Sequence, residues 1–208
     1  TIDLADIKAG NGGGFVILGA STSNSFDQSG HSVSIAGDVN NDNKDDIIIG
    51  AHKADVGAVG AAGKTYVVFG VDSTASIDLT DIDSDTGGHG FVINGVAAGD
   101  NAGYSVSGAG NINGDAFDDL IVGAPYADSS AGRSYVVFGK STTTPISLSA
   151  LESGTPTGGF VINGFEASLS GWSVSGAGNV NGDSFDDLVI GAPYANGNYG
   201  EAYVVFGK

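Results

Sequence analysis

The stretch Gly176-Ala177-Gly178-Asn179-Val180-Asn181-Gly182-Asp183-Ser184-Phe185-Asp186-Asp187-Leu188-Val189-Ile190-Gly191-Ala192-Pro193 reads as strand, acidic turn, strand. Just ahead, Trp172-Ser173-Val174-Ser175 alternates apolar and small residues, and Leu188-Val189-Ile190 is a short apolar run closed by Gly-Ala-Pro. Between the strands Asn179, Asn181, Asp183 and Asp187 occupy loop positions 1, 3, 5 and 9. Oxygen donors at alternate residues, followed by a carboxylate four further on, suit a hard cation such as Ca²⁺. The EF-hand opens with the same spacing and adds a backbone carbonyl at position 7, here that of Phe185. One such turn on its own also fits a hairpin closed by Asx hydrogen bonds without metal.

The pattern recurs twice. Asp38, Asn40, Asp42, Lys44 (carbonyl) and Asp46 lead into Ile47-Ile48-Ile49-Gly50-Ala51. Asn111, Asn113, Asp115, Phe117 (carbonyl) and Asp119 lead into Leu120-Ile121-Val122-Gly123-Ala124-Pro125. Three aligned copies favour cation binding over a solvated turn, with up to three Ca²⁺ per chain. The first loop offers three carboxylates and the others two each, so the Asp38 site is expected to bind tightest. Sites repeated in every unit are expected to be structural, tying down turns whose like charges otherwise repel.

The phrase Tyr-Val-Val-Phe-Gly ends at Gly70, Gly139 and Gly207, spacings of 69 and 68 residues. It divides one domain, 1–208, into repeats 1–70, 71–140 and 141–208. Each repeat opens on an I-x-L phrase (Ile2-Asp3-Leu4, Ile77-Asp78-Leu79, Ile146-Ser147-Leu148) and a polar, Gly-rich segment. A helical turn is expected there around 5–8 or 149–152. A Gly-Phe-Val-Ile strand follows, at Gly14–Ile17, Gly90–Ile93 and Gly159–Ile162. Then come a variable loop (20–30, 96–103, 165–171), the metal hairpin, a second variable loop (52–63, 126–132, 194–200) and Tyr-Val-Val-Phe. That makes four strands per repeat. Their apolar runs do not alternate, as expected of strands covered on both faces. Radially stacked four-stranded sheets provide such cover. Gly108-Ala109-Gly110 and Gly176-Ala177-Gly178 suit backbones crowded near an axis.

These repeats resemble FG-GAP repeats, the blades of the β-propeller in integrin α-chains and in many secreted bacterial proteins. The resemblance covers essentially the whole chain through G-x-S-V-S…[DN]-x-N-x-D-x-x-D-D-[LI]-[IV]-[IV]-G-A-P. It departs from the family at Ser29, Ala102 and Ser170, where an aromatic is usual, and at His52, which replaces the Pro of Gly-Ala-Pro. Asn43, Ala116 and Ser184 stand at loop position 6, where Gly is usual, and loss of that Gly is expected to strain the turn.

The resemblance implies an all-β propeller of four-stranded blades, three repeats per chain. The metal hairpin would supply the inner two strands, Tyr-Val-Val-Phe the third, and the next repeat's Gly-Phe-Val-Ile the outer fourth. Three blades fall short of the roughly four to eight that close a ring. The partner is therefore expected to be the chain itself, as a homodimer completing six blades, or further blades of a longer parent chain. The implied function is a calcium-binding, non-catalytic module, extracellular or on the cell surface, for adhesion or for binding a protein or glycan. A self-assembling structural unit and the propeller of a secreted polysaccharide-degrading enzyme are the alternatives. By resemblance, ligands bind on the face opposite the cations, which would carry Phe26, Asp27, Lys53, Asp100, Asn101, Tyr126, Asp128, Tyr194, Asn198 and Tyr199.

Composition is consistent with this. The net charge of −17, with seven scattered basic residues, argues against nucleic acid. Three Ca²⁺ would bring −17 to −11. No apolar run approaches a membrane span, and the absence of Cys excludes disulfides and thiol chemistry. A chain without Met that starts at Thr1 is expected to be processed or cut from a longer one, and would have lost any signal peptide. No Ser/His/Asp arrangement or unrepeated carboxylate pair suggests catalysis. His31, Tyr104 and Trp172 share one repeat position and are expected to pack between blades, whereas His52 and His89 align with nothing and read as incidental.

Overall fold

A computed structural model describes residues 3–11, 13–20, 26–153 and 157–208. Ile2 of the first I-x-L phrase and residues 21–25 of the first variable loop lie outside the described residues. The strands are β1 (Ile17–Leu18), β2 (Ser32–Gly37), β3 (Asp46–Ala51), β4 (Lys64–Val68), β5 (Ile77–Asp78), β6 (Gly90–Asn94) and β7 (Ser105–Gly110). They continue with β8 (Asp119–Ala124), β9 (Arg133–Val137), β10 (Ile146–Ser147), β11 (Gly159–Asn163), β12 (Ser173–Gly178), β13 (Asp187–Ala192) and β14 (Glu201–Val205).

The strands form the successive blades of a β-propeller. Blade 1 runs β2-β3-β4-β6, with β10 added in parallel at its outer edge. Blade 2 runs β7-β8-β9-β11, and blade 3 stops at β12-β13-β14. Within each blade the four-strand pairings are antiparallel, and each outer strand comes from the following repeat: Lys64 faces Asn94, and Arg133 faces Asn163. The first Gly-Phe-Val-Ile segment is shorter than expected. Only Ile17–Leu18 is extended, paired in parallel with β5 and with no blade behind it.

β-Branched residues dominate the second and third strands, which fits a pleated sheet covered on both faces. One core lies between blades 1 and 2 and includes Val67, Phe91, Val106, Leu120 and Tyr135. Another lies between blades 2 and 3 around Ile121, Val136, Leu188 and Ile190. The short helices Leu79–Asp83 and Leu148–Leu151 bury Leu79, Ile82, Leu148 and Leu151 against these sheets. The Oδ1 of Asp78 accepts from Thr80 N–H at 2.8 Å and caps the first of these helices. The sequence reading placed helical turns in repeats one and three, where Leu4–Lys8 and Leu148–Leu151 form them, and missed the one in repeat two. The I-x-L phrases, read only as repeat openers, add the parallel strands β5 and β10.

The inner strands approach one another very closely. A Cβ on Gly123 would lie 2.1 Å from the Gly171 carbonyl oxygen, and one on Gly50 would lie 2.0 Å from that of Gly103. Polar links reinforce the approach: Val106 N–H donates to Ser32 Oγ at 3.1 Å, and Ser105 Oγ donates to the Gly171 carbonyl at 2.8 Å. Among the described residues no helix is long and apolar enough to cross a membrane.

Candidate metal centres and the opposite face

Each acidic loop joins the inner strand of a blade to the second strand. The register slips just before it, between residues 35 and 37, 108 and 110, and 176 and 178. Gly37, Gly110 and Gly178 take φ of 81°, 69° and 64° at these bulges, a conformation that favours glycine.

The position-9 carboxylates are the best fixed of the expected ligands. Asp46, Asp119 and Asp187 are fully buried. Asp46 accepts from Val39 N–H at 2.9 Å and from Gly70 N–H at 2.8 Å, and Asp119 accepts from Ile112 N–H at 2.9 Å and Gly139 N–H at 3.0 Å. Asp187 repeats the arrangement with Val180 and Gly207. This residue therefore ties the cation loop to the end of the third strand. Burial pushes Asp46 and Asp119 up to about 6 against the lowering effect of those hydrogen bonds, and neighbouring Asp carboxylates add to the rise.

Positions 1, 3 and 5 ring the loop. In loop 1 the Asp38 carboxylate accepts from Asp42 N–H at 2.9 Å and Asn43 N–H at 2.8 Å. Asn40 Oδ1 also accepts from Asp42 N–H, and Asp42 Oδ1 accepts from Lys44 N–H, both at 2.9 Å. Loops 2 and 3 keep the position 3 and 5 bonds through Asn113, Asp115, Asn181 and Asp183. Their first residue differs: Asn111 Nδ2 donates to the Asp115 carbonyl at 2.7 Å, and Asn179 does the same to Asp183. Position 6 differs as well. Asn43 takes φ 66°, whereas Ala116 and Ser184 avoid the left-handed region; at position 4 all three loops take it, through Asn41, Gly114 and Gly182. The strain expected from losing Gly at position 6 is thus avoided in loops 2 and 3, whose position-6 residues do not adopt the left-handed conformation.

The donor set fits a hard cation. It consists of carboxylate, amide and carbonyl oxygens, and a carboxylate that accepts one hydrogen bond per oxygen keeps lone pairs for a metal. Among the described residues the ion pairs are Lys44–Asp72, Lys64–Asp83 and Arg133–Glu152, so no basic side chain pairs with these loop carboxylates. Asx hydrogen bonds are also present, and no three His, Cys, Asp or Glu side chains form a ready cluster among the described residues. The loops rely on Asn and backbone oxygens to complete a site.

Position 8 has a role that sequence reasoning missed. The Asp118 Oδ2 accepts from Asp38 N–H of the preceding loop at 2.9 Å, and Asp118 N–H donates to the Asp38 carbonyl at 3.1 Å. Asp186 and Asn111 repeat the pair at 2.9 and 3.1 Å. These acids clasp one blade to the next. The signal was present as an Asp at position 8 of all three loops.

At the other end of the blades lie the residues before β2, β7 and β12 and after β3, β8 and β13. There His31, His52, Tyr104, Tyr126 and Trp172 form a continuous aromatic cluster across the three blades. The centroids of His31 and His52 are 4.2 Å apart, and those of Tyr104 and Trp172 are 4.7 Å apart. Interblade packing of His31, Tyr104 and Trp172 is as expected, but His52 is not incidental. It is buried, packs 5.2 Å from Tyr104, and its Nδ1 lacks a hydrogen-bond partner among the described residues. Burial, helped by His31 and Lys53, pushes the imidazole down to about 4. The folded protein thus holds the neutral ring, whereas the unfolded chain takes a proton near pH 6.5. The His52 contribution to stability is expected to be full above that pH and to fall by roughly 2–3 kcal/mol as pH drops toward 4. The raised Asp46 and Asp119 contribute in the opposite direction, so it is read as the difference between wild type and His52→Leu. Chemical unfolding at a series of pH values checks this, with His52→Leu removing about one proton from the slope.

Of the other residues assigned to this face, Asp27, Asp100 and Asn101 are buried and build the loops. Lys53 Nζ donates to Asn101 Oδ1 at 2.9 Å and bridges two of them. Phe26, Tyr126, Tyr194 and Tyr199 are exposed.

Four-stranded blades joined through paired acidic loops define a propeller-blade protein of repeat type. The FG-GAP repeat profile matches residues 29–68, 102–137 and 170–205, and the chain belongs to that family. It is 37% identical over 125 residues to integrin alpha ina-1 of Caenorhabditis elegans, covering 56% of this chain and 11% of that protein. It is 32% identical over 172 residues to integrin alpha pat-2 of the same organism, covering 81% and 13%. It is also 32% identical over 164 residues to phosphatidylinositol-glycan-specific phospholipase D of Bos taurus, covering 77% and 18%. The chain thus matches less than one fifth of the length of these relatives.

Proposed function

We propose that this chain is a calcium-binding, non-catalytic propeller module, extracellular or at the cell surface, that serves adhesion or ligand binding. The observation that carries the reading is the set of three equivalent oxygen-donor loops, each with a buried position-9 carboxylate and, among the described residues, no basic side chain paired to its acids. Asp38, Asn40, Asp42, Asp46 and the Lys44 carbonyl would hold the first ion. Asn111, Asn113, Asp115, Asp119 and the Phe117 carbonyl would hold the second, and Asn179, Asn181, Asp183, Asp187 and the Phe185 carbonyl the third. A bound Ca²⁺ would neutralise the carboxylates and lock the turn.

The similarity to integrin alpha chains supports adhesion and an extracellular setting. The bovine relative is named as a phospholipase, but the match covers only 18% of it. Exposed Tyr194 and Tyr199 make the aromatic face the proposed contact surface for a protein or glycan.

Calorimetric titration with Ca²⁺ tests the reading. It is expected to show up to three sites, the tightest lost in Asp42→Ala. That assignment follows from its third carboxylate and from the left-handed Asn43, which loops 2 and 3 lack at position 6. No heat above dilution at millimolar calcium would sink it.

A further inference from the structure

We infer that His52 is an acid-operated latch between blades 1 and 2: the neutral ring closes on His31 and Tyr104 and holds loops 52–63 and 96–103 together, and its protonation parts them.

The repeats supply their own comparison. The residue before the inner strand is Tyr104 in blade 2 and Trp172 in blade 3, and the residue after Gly-Ala is Pro125 and Pro193. None of these four titrates near neutral pH or below it. Blade 1 has histidine at both positions, and the two rings meet with their centroids 4.2 Å apart.

The backbone around them is the same at both joints. Between blades 1 and 2, the N–H groups of Asn101 and Ala102 donate to the carbonyls of Ala61 and Ala62 at 3.2 and 3.0 Å. Between blades 2 and 3, those of Leu169 and Ser170 donate to Ser130 and Ala131 at 3.0 and 3.1 Å. Gly95 N–H donates to the Gly63 carbonyl at 2.9 Å, as Gly164 N–H does to that of Gly132 at 2.8 Å. Only the first joint encloses a histidine pair.

His52 has no room for a charge. It is 4% exposed, its ring centroid lies 5.2 Å from that of Tyr104, and Nδ1 is enclosed without a partner among the described residues. An imidazolium donates from both nitrogens, so a proton leaves that N–H without an acceptor. It also sets a positive charge beside His31 and Lys53. The acids of the surrounding loops are Asp27, Asp55 and Asp100. Asp55 accepts from Ala61 N–H at 2.8 Å and Asp100 from Ala97 N–H at 3.2 Å.

Lys53 carries a displacement of His52 outward. Its N–H donates to the Asp27 carbonyl at 3.3 Å and its Nζ to Asn101 Oδ1 at 2.9 Å, so it ties the loop before β2 to the loop before β7. Swinging the charged ring into water supplies the missing partners and gives up the contact with Tyr104. Burial holds the closed imidazole down at about 4, whereas an open loop takes its proton near 6.5. The open form binds more protons between those values, so opening gains as pH falls through them.

These loops flank the aromatic face proposed above as the contact surface. Acid therefore loosens that surface at the joint of blades 1 and 2 and spares it at the next; this consequence rests on that reading, whereas the latch does not.

Hydrogen exchange of the whole chain, read by mass spectrometry at about pH 7 and about pH 4.5 and corrected for intrinsic rates, tests the latch without any ligand. Protection over 52–63 and 96–103 is expected to fall about tenfold or more at the lower pH, while 126–132 and 165–171 change by less than about threefold. The second pair of loops registers any general loosening of the fold. His52→Pro installs the residue that blades 2 and 3 already hold, and His52→Gln keeps a polar side chain that takes no proton. Either variant should abolish the fall. Unchanged protection in wild type overturns the inference, as does equal loosening of both loop pairs or a fall that persists in the variants.

Discussion

Asp119→Ala is expected to destabilise the chain by about 3–5 kcal/mol even in excess chelator, the loss seen when one partner of a buried charged hydrogen-bond set is removed. The carboxylate is fully buried, and its removal leaves the N–H groups of Ile112 and Gly139 without acceptors, detaching the cation loop from the third strand of blade 2. Asp115 provides the control. It is exposed, and its side-chain contacts stay within the loop: Oδ2 accepts from Asn113 Nδ2 and Oδ1 accepts from Phe117 N–H, while its own N–H donates to Asn113 Oδ1. Asp115→Ala should cost well under about 1 kcal/mol in chelator and lower stability only when calcium is present. Urea unfolding of both variants, with and without calcium, separates the two roles. Equal losses in chelator would show that burial of the position-9 acid does not matter.

The second large effect is steric. A methyl group at Gly123 would lie 2.1 Å from a backbone oxygen of blade 3, which no rotamer relieves. Gly123→Ala should therefore part the inner strands of blades 2 and 3 and cost about 3 kcal/mol or more, the upper end for overpacking. Gly191 is the same repeat position in blade 3, and there the nearest atom is the Ser173 Oγ at 2.5 Å, a hydroxyl free to rotate away. Measured by urea unfolding at low protein concentration, Gly191→Ala should cost about 1 kcal/mol or less. Similar losses at both positions would contradict a blade-to-blade origin.

Much of this architecture was legible in the sequence because the repeat fixes local and long-range structure together. Tyr-Val-Val-Phe and the Leu/Ile/Val runs before Gly-Ala are too apolar for a one-sided sheet, and the structure buries both faces of β4 and β9 in blades 1 and 2. The outer strand, borrowed from the next repeat, followed from the FG-GAP resemblance and not from any local pattern in Gly90–Asn94. What escaped notice depends on contacts between repeats. Asp118 and Asp186 drew no assignment, because only the neighbouring blade brings them to Asp38 and Asn111. His52 aligned with no other histidine, yet folding buries it against His31. Two-residue strands such as Ile146–Ser147 carry no periodicity at all.

The position-6 residues show how a local rule is met by other means. Loop 1 has left-handed residues at positions 4 and 6, Asn41 and Asn43, while loops 2 and 3 have only the position-4 one, Gly114 and Gly182. Sites built on different turns should differ in affinity even where their remaining oxygens match, which is why the titration is expected to be heterogeneous.

Calcium binding by the three loops as part of the fold, proposed above, is open to calorimetric melting. One site saturated a hundredfold above its dissociation constant contributes about 2.7 kcal/mol, or about 5–10 °C for a chain of this size. Scans in millimolar calcium should melt at least that much higher than scans in chelator, with magnesium failing to substitute. Superimposable scans in calcium and chelator would contradict the account.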